Sequence, residues 1–337
     1  MELPEQNLQQ EPLVETTYLA VGEHLPLVIT PQSGALDLVA WAESQQSFLE
    51  TELSIHGALL LRGFDGLSPA DFERFALTLC ADLFHENGEH VPADVGAGNL
   101  YTPVFYAPDK KLLWHTENSF NVAWPMKIFF FCGQPAAKGG ETPIVDNRRV
   151  FEHIAPHIRE PFLQKGIMYV RTYEEGLGLP WQKVFRTEKR EEVEAYCQQA
   201  DIAFEWKDRG RLQTRQVRPA VLQHPQTGEW LWWNQAAHWH PACLEPEVRD
   251  ALQMLFAEED LPRNCFYGDG SVIEDTVMEA ICEAYQAMEV SFPWRQGDIL
   301  LLDNMLMAHA RNPYEGQRKI YVSMGNMQTL DDLPPTK

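Results

Sequence analysis

The chain has 337 residues, 45% hydrophobic and 11% aromatic, enough to fill a sizeable core and to exclude a globally disordered protein. Its 27 Lys and Arg against 49 Asp and Glu leave a net charge of −22, a surface that repels phosphate backbones and excludes nucleic acid as the main partner. Cys80, Cys132, Cys197, Cys243, Cys265 and Cys282 form no CxxC, the N-terminus lacks the basic start and apolar stretch of a secretory signal, and no apolar run approaches the roughly 18 residues of a membrane span. The expectation is a cytoplasmic protein with reduced, buried thiols and no membrane partner.

Residues 1–24 read as a polar N-terminal arm, partly flexible, and residues 25–330 as a single domain. GALDLVAWAESQQSFLETEL (34–53) has helical apolar spacing, HGALLLRGF (56–64) reads as a buried strand, and 68–83 as a helix with Ser68 as N-cap. Residues 86–110, rich in Gly, Asn, Pro and Asp, read as loop. LLWHTE, MKIFFFCG (126–133) and TPIVD (142–146) are strand-like. Helices are expected at 147–165, 188–199, 245–258 and 274–288, and further strands at 166–173, 215–225, 229–235, 297–304 and 318–327. Short strands between turn signals suggest a sandwich or barrel with helices outside it.

The chemistry begins at WHTENSF (114–120). In an extended strand, residues i and i+2 share a face, so His115 and Glu117 would present an imidazole and a carboxylate side by side. A non-haem Fe(II) oxygenase needs a second histidine to complete two histidines and one carboxylate on one octahedral face. The best candidate is His309, delivered after the apolar strand GDILLLDN; His238 and His240 (HWH) compete, sharing a face if extended. His85, His90, His153, His157 and His224 sit in polar or helical contexts and read as solvent-facing or structural. Arg318 follows His309 by nine residues. Its guanidinium suits the distal carboxylate of a 2-oxoglutarate cosubstrate, and Thr142 is placed to add a hydroxyl donor.

Taken together, HTENSF, IFFFCGQPAAKGGETPIVDNRRV and GDILLLDNMLMAHARNPYEGQRKI resemble the TauD/TfdA-like Fe(II)/2-oxoglutarate oxygenases. More narrowly, WHTENSF, GLGLPWQKVFRTE, TRQVRPAV, LPRNCFYGDG and HARNPYEGQRKI resemble the SyrP-like branch associated with nonribosomal peptide synthesis. The resemblance implies a mainly β (α+β) fold: a double-stranded β-helix (jelly-roll) core with surrounding helices and a long insertion. By position it makes His115, Glu117 and His309 the iron ligands and gives Arg318 and Thr142 to 2-oxoglutarate, with O2 as the other cosubstrate. The wider family usually has Asp at Glu117, though Glu is usual in this branch, and often Arg-Arg where this chain has Arg318-Lys319. The related halogenases lack the carboxylate, so Glu117 implies hydroxylation.

The resemblance further implies an amino-acid-type small molecule or a carrier-protein-tethered aminoacyl substrate. Asn118, Arg215, Arg218 and Asn234 are candidates to read its carboxylate, amine or amide, and the aromatic segments 124–131 and 228–240 to shield the site. Alternatives are desaturation or cyclisation by the same iron chemistry, a non-catalytic jelly-roll binding protein, and a cupin-like protein with structural zinc. Zinc would favour a closed tetrahedral site. The sequence leaves the oligomeric state open.

Overall fold

The computed structural model describes residues 13–20, 24–84, 91–92, 99–102, 106–174 and 179–333. Its largest sheet has eight strands, in the order Val14–Thr17, Leu27–Pro31, Ala58–Leu61, Ile299–Asp303, Ala123–Gln134, Lys319–Thr329, Tyr101–Thr102 and Val91–Pro92. Leu27–Pro31 runs parallel to Ala58–Leu61 because a helical crossover joins them; the other neighbours are antiparallel. A second sheet of three strands, Leu112–His115, Met307–Arg311 and Ile144–Asp146, meets the first through a core that includes Trp124, Ile128, Phe130, Ile144 and Met307. The fold is mainly β with a jelly-roll core and helices outside it.

The run Phe129-Phe130-Phe131 shows why the central strand has no polar alternation. Phe130 joins the core between the sheets, while Phe129 and Phe131 join the core beneath the helices Leu38–Ser44, Gln46–His56 and Pro69–Leu79. A strand covered on both faces is apolar at every position. Pro69–Leu79 begins as the sequence predicts: the Ser68 hydroxyl accepts from the Asp71 amide and the Asp71 carboxylate from the Ser68 amide, a reciprocal capping box.

A third sheet of four strands, ordered Ala203–Trp206, Leu212–Arg218, Ile167–Tyr173 and Arg263–Tyr267, forms the long insertion. Ile167, Tyr169 and Cys265 of this sheet share an apolar cluster with Met278, Ile281 and Tyr285 of the helix Asp275–Met288.

Several expectations are corrected. The helix expected at 34–53 starts at Leu38, where Asp37 caps the Ala40 amide, and is interrupted at Gln45. The helix expected at 147–165 breaks into Asn147–His153 and Pro156–Lys165, because a residue preceding proline is driven out of the helical region. Within the expected arm, Val14–Thr17 is a paired strand, and the expected loop contributes the pairs Val91–Pro92 and Tyr101–Thr102. Residues 1–12 and 21–23 of the arm, His85 and His90 lie outside the described residues. The cysteines form no disulfide, although the Cys282 thiol donates to Cys243 Sγ at 3.1 Å. Among the described residues no helix is long and apolar enough to cross a membrane.

Candidate active site

Strand register brings the two histidines together. Met307–Arg311 lies between Leu112–His115 and Ile144–Asp146, and the ladder sets His309 directly opposite His115. Their ring centroids are 4.3 Å apart. His115 Nδ1 donates to the Leu113 carbonyl at 2.8 Å, which puts the ring proton on Nδ1 and the lone pair on Nε2, the tautomer a metal requires. The edge of Phe130 meets His309 at 5.2 Å between centroids and supplies part of the expected aromatic shield.

Glu117 arrives differently from the sequence expectation. The strand ends at His115, so Glu117 is not its same-face neighbour on a continuing strand; it sits in the following turn. Asn118, with φ of 60°, adopts the left-handed conformation that asparagine tolerates better than most side chains. A buried amide fixes this turn. Asn304 Oδ1 accepts from the Glu117 amide at 2.8 Å, and Asn304 Nδ2 donates to the Glu117 carbonyl at 2.9 Å and the Pro125 carbonyl at 2.8 Å. Asn304 is fully buried and reads as a plain strand-end residue in the sequence.

One ligand atom from each of His115, Glu117 and His309 lies within 4.8 Å of the others. Two imidazoles and one carboxylate converging from two strands and one turn fit a divalent metal held on one face. Among the described residues the cluster has three protein ligands, rather than the four of a closed tetrahedral zinc site.

The cosubstrate candidates converge as well. Arg318 donates from Nε to the Gly140 carbonyl at 2.8 Å and from Nη2 to Thr142 Oγ1 at 3.3 Å. Gly140 is required here: its φ is +76°, and a Cβ would stand 3.0 Å from Arg318 Cδ. Trp294 Nε1 also donates to Thr142 Oγ1, at 3.2 Å. With both lone pairs engaged, the Thr142 hydroxyl proton is left to donate, as a carboxylate would need. Burial, reinforced by nearby Arg311, pulls the Arg318 guanidinium down to about 10, so it is still charged at neutral pH. Lys319 is exposed and lies over the Tyr321 ring, so Arg318 is the cation beside Thr142.

A cavity of about 460 Å³ adjoins the turn at Asn118. Phe120, Tyr169, Arg171, Thr214, Gln216 and Trp239 help to line it. Of the substrate candidates, only Asn118 is on this wall. Arg215 belongs to the opposite face of its strand from Thr214 and Gln216, where Nη2 donates to Gln213 Oε1 and Nη1 is 3.8 Å from Glu205. Arg218 is buried and donates to the Val217 and Ala200 carbonyls and to Gln216 Oε1. Asn234, also buried, ties the Ala220 carbonyl to the Ala236 amide. These three hold the fold together.

The HWH segment is helical, in Ala236–Trp239, so His238 and His240 do not share a strand face. His238 nevertheless lies beside the cluster of His115, Glu117 and His309, 5.3 Å from the His115 ring, and accepts from Arg263 Nη1 at 3.2 Å. Burial first, then His115 and Arg263, hold it well below its ordinary value, so it is neutral at neutral pH. His240 and the fully buried His224 are structural. His224 Nδ1 accepts from the Gln226 and Thr227 amides, which leaves Nε2 to donate to Asp303 at 3.1 Å. A second cavity of about 460 Å³, lined partly by Glu50, Asp82 and Lys127, contains none of the predicted site residues.

The sequence model described as taurine catabolism dioxygenase TauD, TfdA family matches residues 23–324. The chain belongs to the TauD/TfdA family. It is an Fe(II)/2-oxoglutarate-dependent dioxygenase. Dapdiamide synthesis protein DdaC of Enterobacter agglomerans is 39% identical over 272 residues, 81% of this chain and 83% of that protein. A clavaminate synthase-like protein of Arabidopsis thaliana is 26% identical over 321 residues, 89% of this chain and 93% of that one. The solved structure of PvcB from Pseudomonas aeruginosa shares the fold of this TauD/TfdA protein with a TM-score of 0.54 at 13% identity, covering 96% and 92% of the two chains.

Proposed function

We propose that His115, Glu117 and His309 hold the Fe(II) of this dioxygenase and that Arg318 and Thr142 hold the distal carboxylate of 2-oxoglutarate. The substrate is an amino acid or amino-acid-derived molecule, free or tethered to a peptidyl carrier protein, hydroxylated at an unactivated C–H bond in natural-product biosynthesis. The observation that carries this reading is the convergence of two imidazoles and one carboxylate within 4.8 Å. The relationship to DdaC, named for dapdiamide synthesis, supports the biosynthetic setting.

Bound in this way, iron and 2-oxoglutarate supply oxidative decarboxylation coupled to C–H oxidation. The chain supplies geometry. The Leu113 carbonyl sets the His115 tautomer, Asn304 holds the Glu117 turn, and Phe130 covers one side of His309. Glu117 occupies the ligand position that a halide would need, which supports oxygen transfer over halogenation.

Anaerobic addition of Fe(II) and 2-oxoglutarate should produce a metal-to-ligand charge-transfer band in the visible spectrum. Free and carrier-loaded amino acids should then be screened for succinate release and a mass gain of one oxygen. Glu117→Ala should abolish substrate-coupled succinate formation; full activity in that variant would remove Glu117 from the iron.

A further inference from the structure

Two of the six cysteines differ from the rest. Cys80, Cys132, Cys197 and Cys265 are buried, and burial pushes the Cys80 and Cys132 thiols up to about 12 and that of Cys197 up to about 11. A buried thiol that stays protonated is a poor nucleophile. Cys243 and Cys282 are only partly buried, and their sulfurs are in contact at 3.1 Å. The sulfurs of a disulfide are about 2 Å apart, so roughly 1 Å of approach separates this pair from a covalent bond.

The pair joins two supports of the candidate site. Cys243 ends the short 3-10 turn Pro241–Cys243, which continues through His240 from the helix Ala236–Trp239. That helix carries His238, beside the His115 ring, and Trp239, on the cavity wall. Cys282 lies on the helix Asp275–Met288, whose Tyr285 stacks on Trp114 with ring centroids 5.5 Å apart and planes within 7°. Trp114 is the residue before His115. A bond between the sulfurs would therefore tie together two segments that pack against His115 and its neighbour. The helix after the turn, Pro246–Leu255, buries no residue, so the chain beyond Cys243 adds little apolar anchorage of its own.

We propose that Cys243 and Cys282 are a redox-modification site: a low-molecular-weight disulfide oxidises them to an intramolecular disulfide that locks the turn Pro241–Cys243 onto the helix Asp275–Met288. One protein thiolate attacks the small disulfide, forming a mixed disulfide and releasing one small thiol. The second protein thiolate then displaces the other small thiol. Two protein S–H bonds are lost, one S–S bond forms, and the oxidant takes up two electrons and both protons. Partial exposure admits the oxidant, and contact between the sulfurs favours the second displacement over accumulation of the mixed disulfide. The bond closes a loop spanning 39 positions, which stabilises the folded chain, and excess reduced thiol reverses it. The reaction uses no group of the proposed iron pocket and stands independently of the metal assignment.

The test uses the intact protein under anaerobic conditions, so that glutathione disulfide is the sole oxidant. The mass should fall by two hydrogens, about 2 Da, with two of the six thiols lost and peptide mapping joining Cys243 to Cys282. The oxidised protein should melt at least about 3 °C higher, and amide exchange across residues 236–243 should slow at least tenfold. Dithiothreitol should reverse all of these changes. Cys282→Ser should show none of them and should instead retain a glutathione adduct on Cys243; Cys243→Ser should retain the adduct on Cys282. Before oxidation both variants should melt with the reduced parent protein, which separates a lost cross-link from a misfolded chain. Thiols that stay free, a glutathione adduct that persists on the unaltered protein, a different pairing, or a cross-link that leaves melting and exchange unchanged would each overturn the proposal.

Discussion

In the three-stranded sheet, His309 reaches His115 through backbone register, and Glu117 is held by a buried amide that engages both its N–H and its C=O. In the insertion sheet, register sets Arg171 opposite Thr214 and Tyr169 opposite Gln216, but these side chains line a cavity, where neighbouring side chains steer them. The proposed iron pocket is therefore over-determined by main-chain geometry, whereas the cavity wall can change its chemistry by single side-chain replacements without touching a ladder. Reaction type and substrate choice are separable in this architecture because they are fixed by different kinds of contact.

If that separation holds, Asn304→Ala should give the largest effect outside the metal ligands themselves. It leaves the Glu117 N–H and the Glu117 and Pro125 carbonyls without this partner, costing about 2–4 kcal/mol of stability. Iron affinity should fall roughly 10–100-fold, as expected when the support of a metal ligand is lost. Thermal unfolding and iron titration check both, and an unchanged iron affinity would break the link between the amide clamp and the site.

Next in size is Arg318→Met. The variant should raise KM for 2-oxoglutarate on the order of 100-fold, because a charged, bidentate-capable donor is removed. The melting temperature of the protein without cosubstrate should not drop, since a buried charge held down by desolvation is replaced by an apolar chain of similar reach. Steady-state kinetics and calorimetry together distinguish this from a purely structural arginine, whose loss would lower the melting temperature.

The smallest effect is a pH dependence. His238 and His240 are both held below 6.5, chiefly by burial, so the unfolded chain takes up their protons more readily than the folded one. Their contribution to stability is present above pH 6.5 and is lost as pH falls from there through their lowered values. Thermal unfolding of chelator-treated protein should show stability decreasing from about pH 7.5 to about 5.5, with a shallower slope in His238→Gln. An equal slope would show that His238 does not carry the acid sensitivity.

What was legible in the sequence was mainly what short-range pattern encodes. The Ser68 capping box and the apolar strand around Phe129–Phe131 could be read because each depends on residue type and close spacing, and His115, Glu117 and His309, the proposed metal ligands, were named by the motifs that carry the family resemblance. Whether HWH is extended was not legible, since Ala236–Trp239 is a helix and its conformation follows tertiary packing. Arg215, Arg218 and Asn234 are not on the cavity wall, and a polar residue in a strand does not announce which face meets a cavity. Arg171 had the same sequence signature as those arginines and went unnoticed for the same reason.

The sequence by itself determined the family, and it supplied the proposed donor set of two imidazoles and one carboxylate together with Arg318 and Thr142, because these are chemical identities carried by residues and motifs. Only the tertiary structure decided that Glu117 reaches its partners from a turn pinned by Asn304, 187 positions away, and that Arg171 rather than Arg215 faces the cavity. Those outcomes depend on which strands pair and in what register, and a one-residue difference in register sends a side chain to the other face of a sheet.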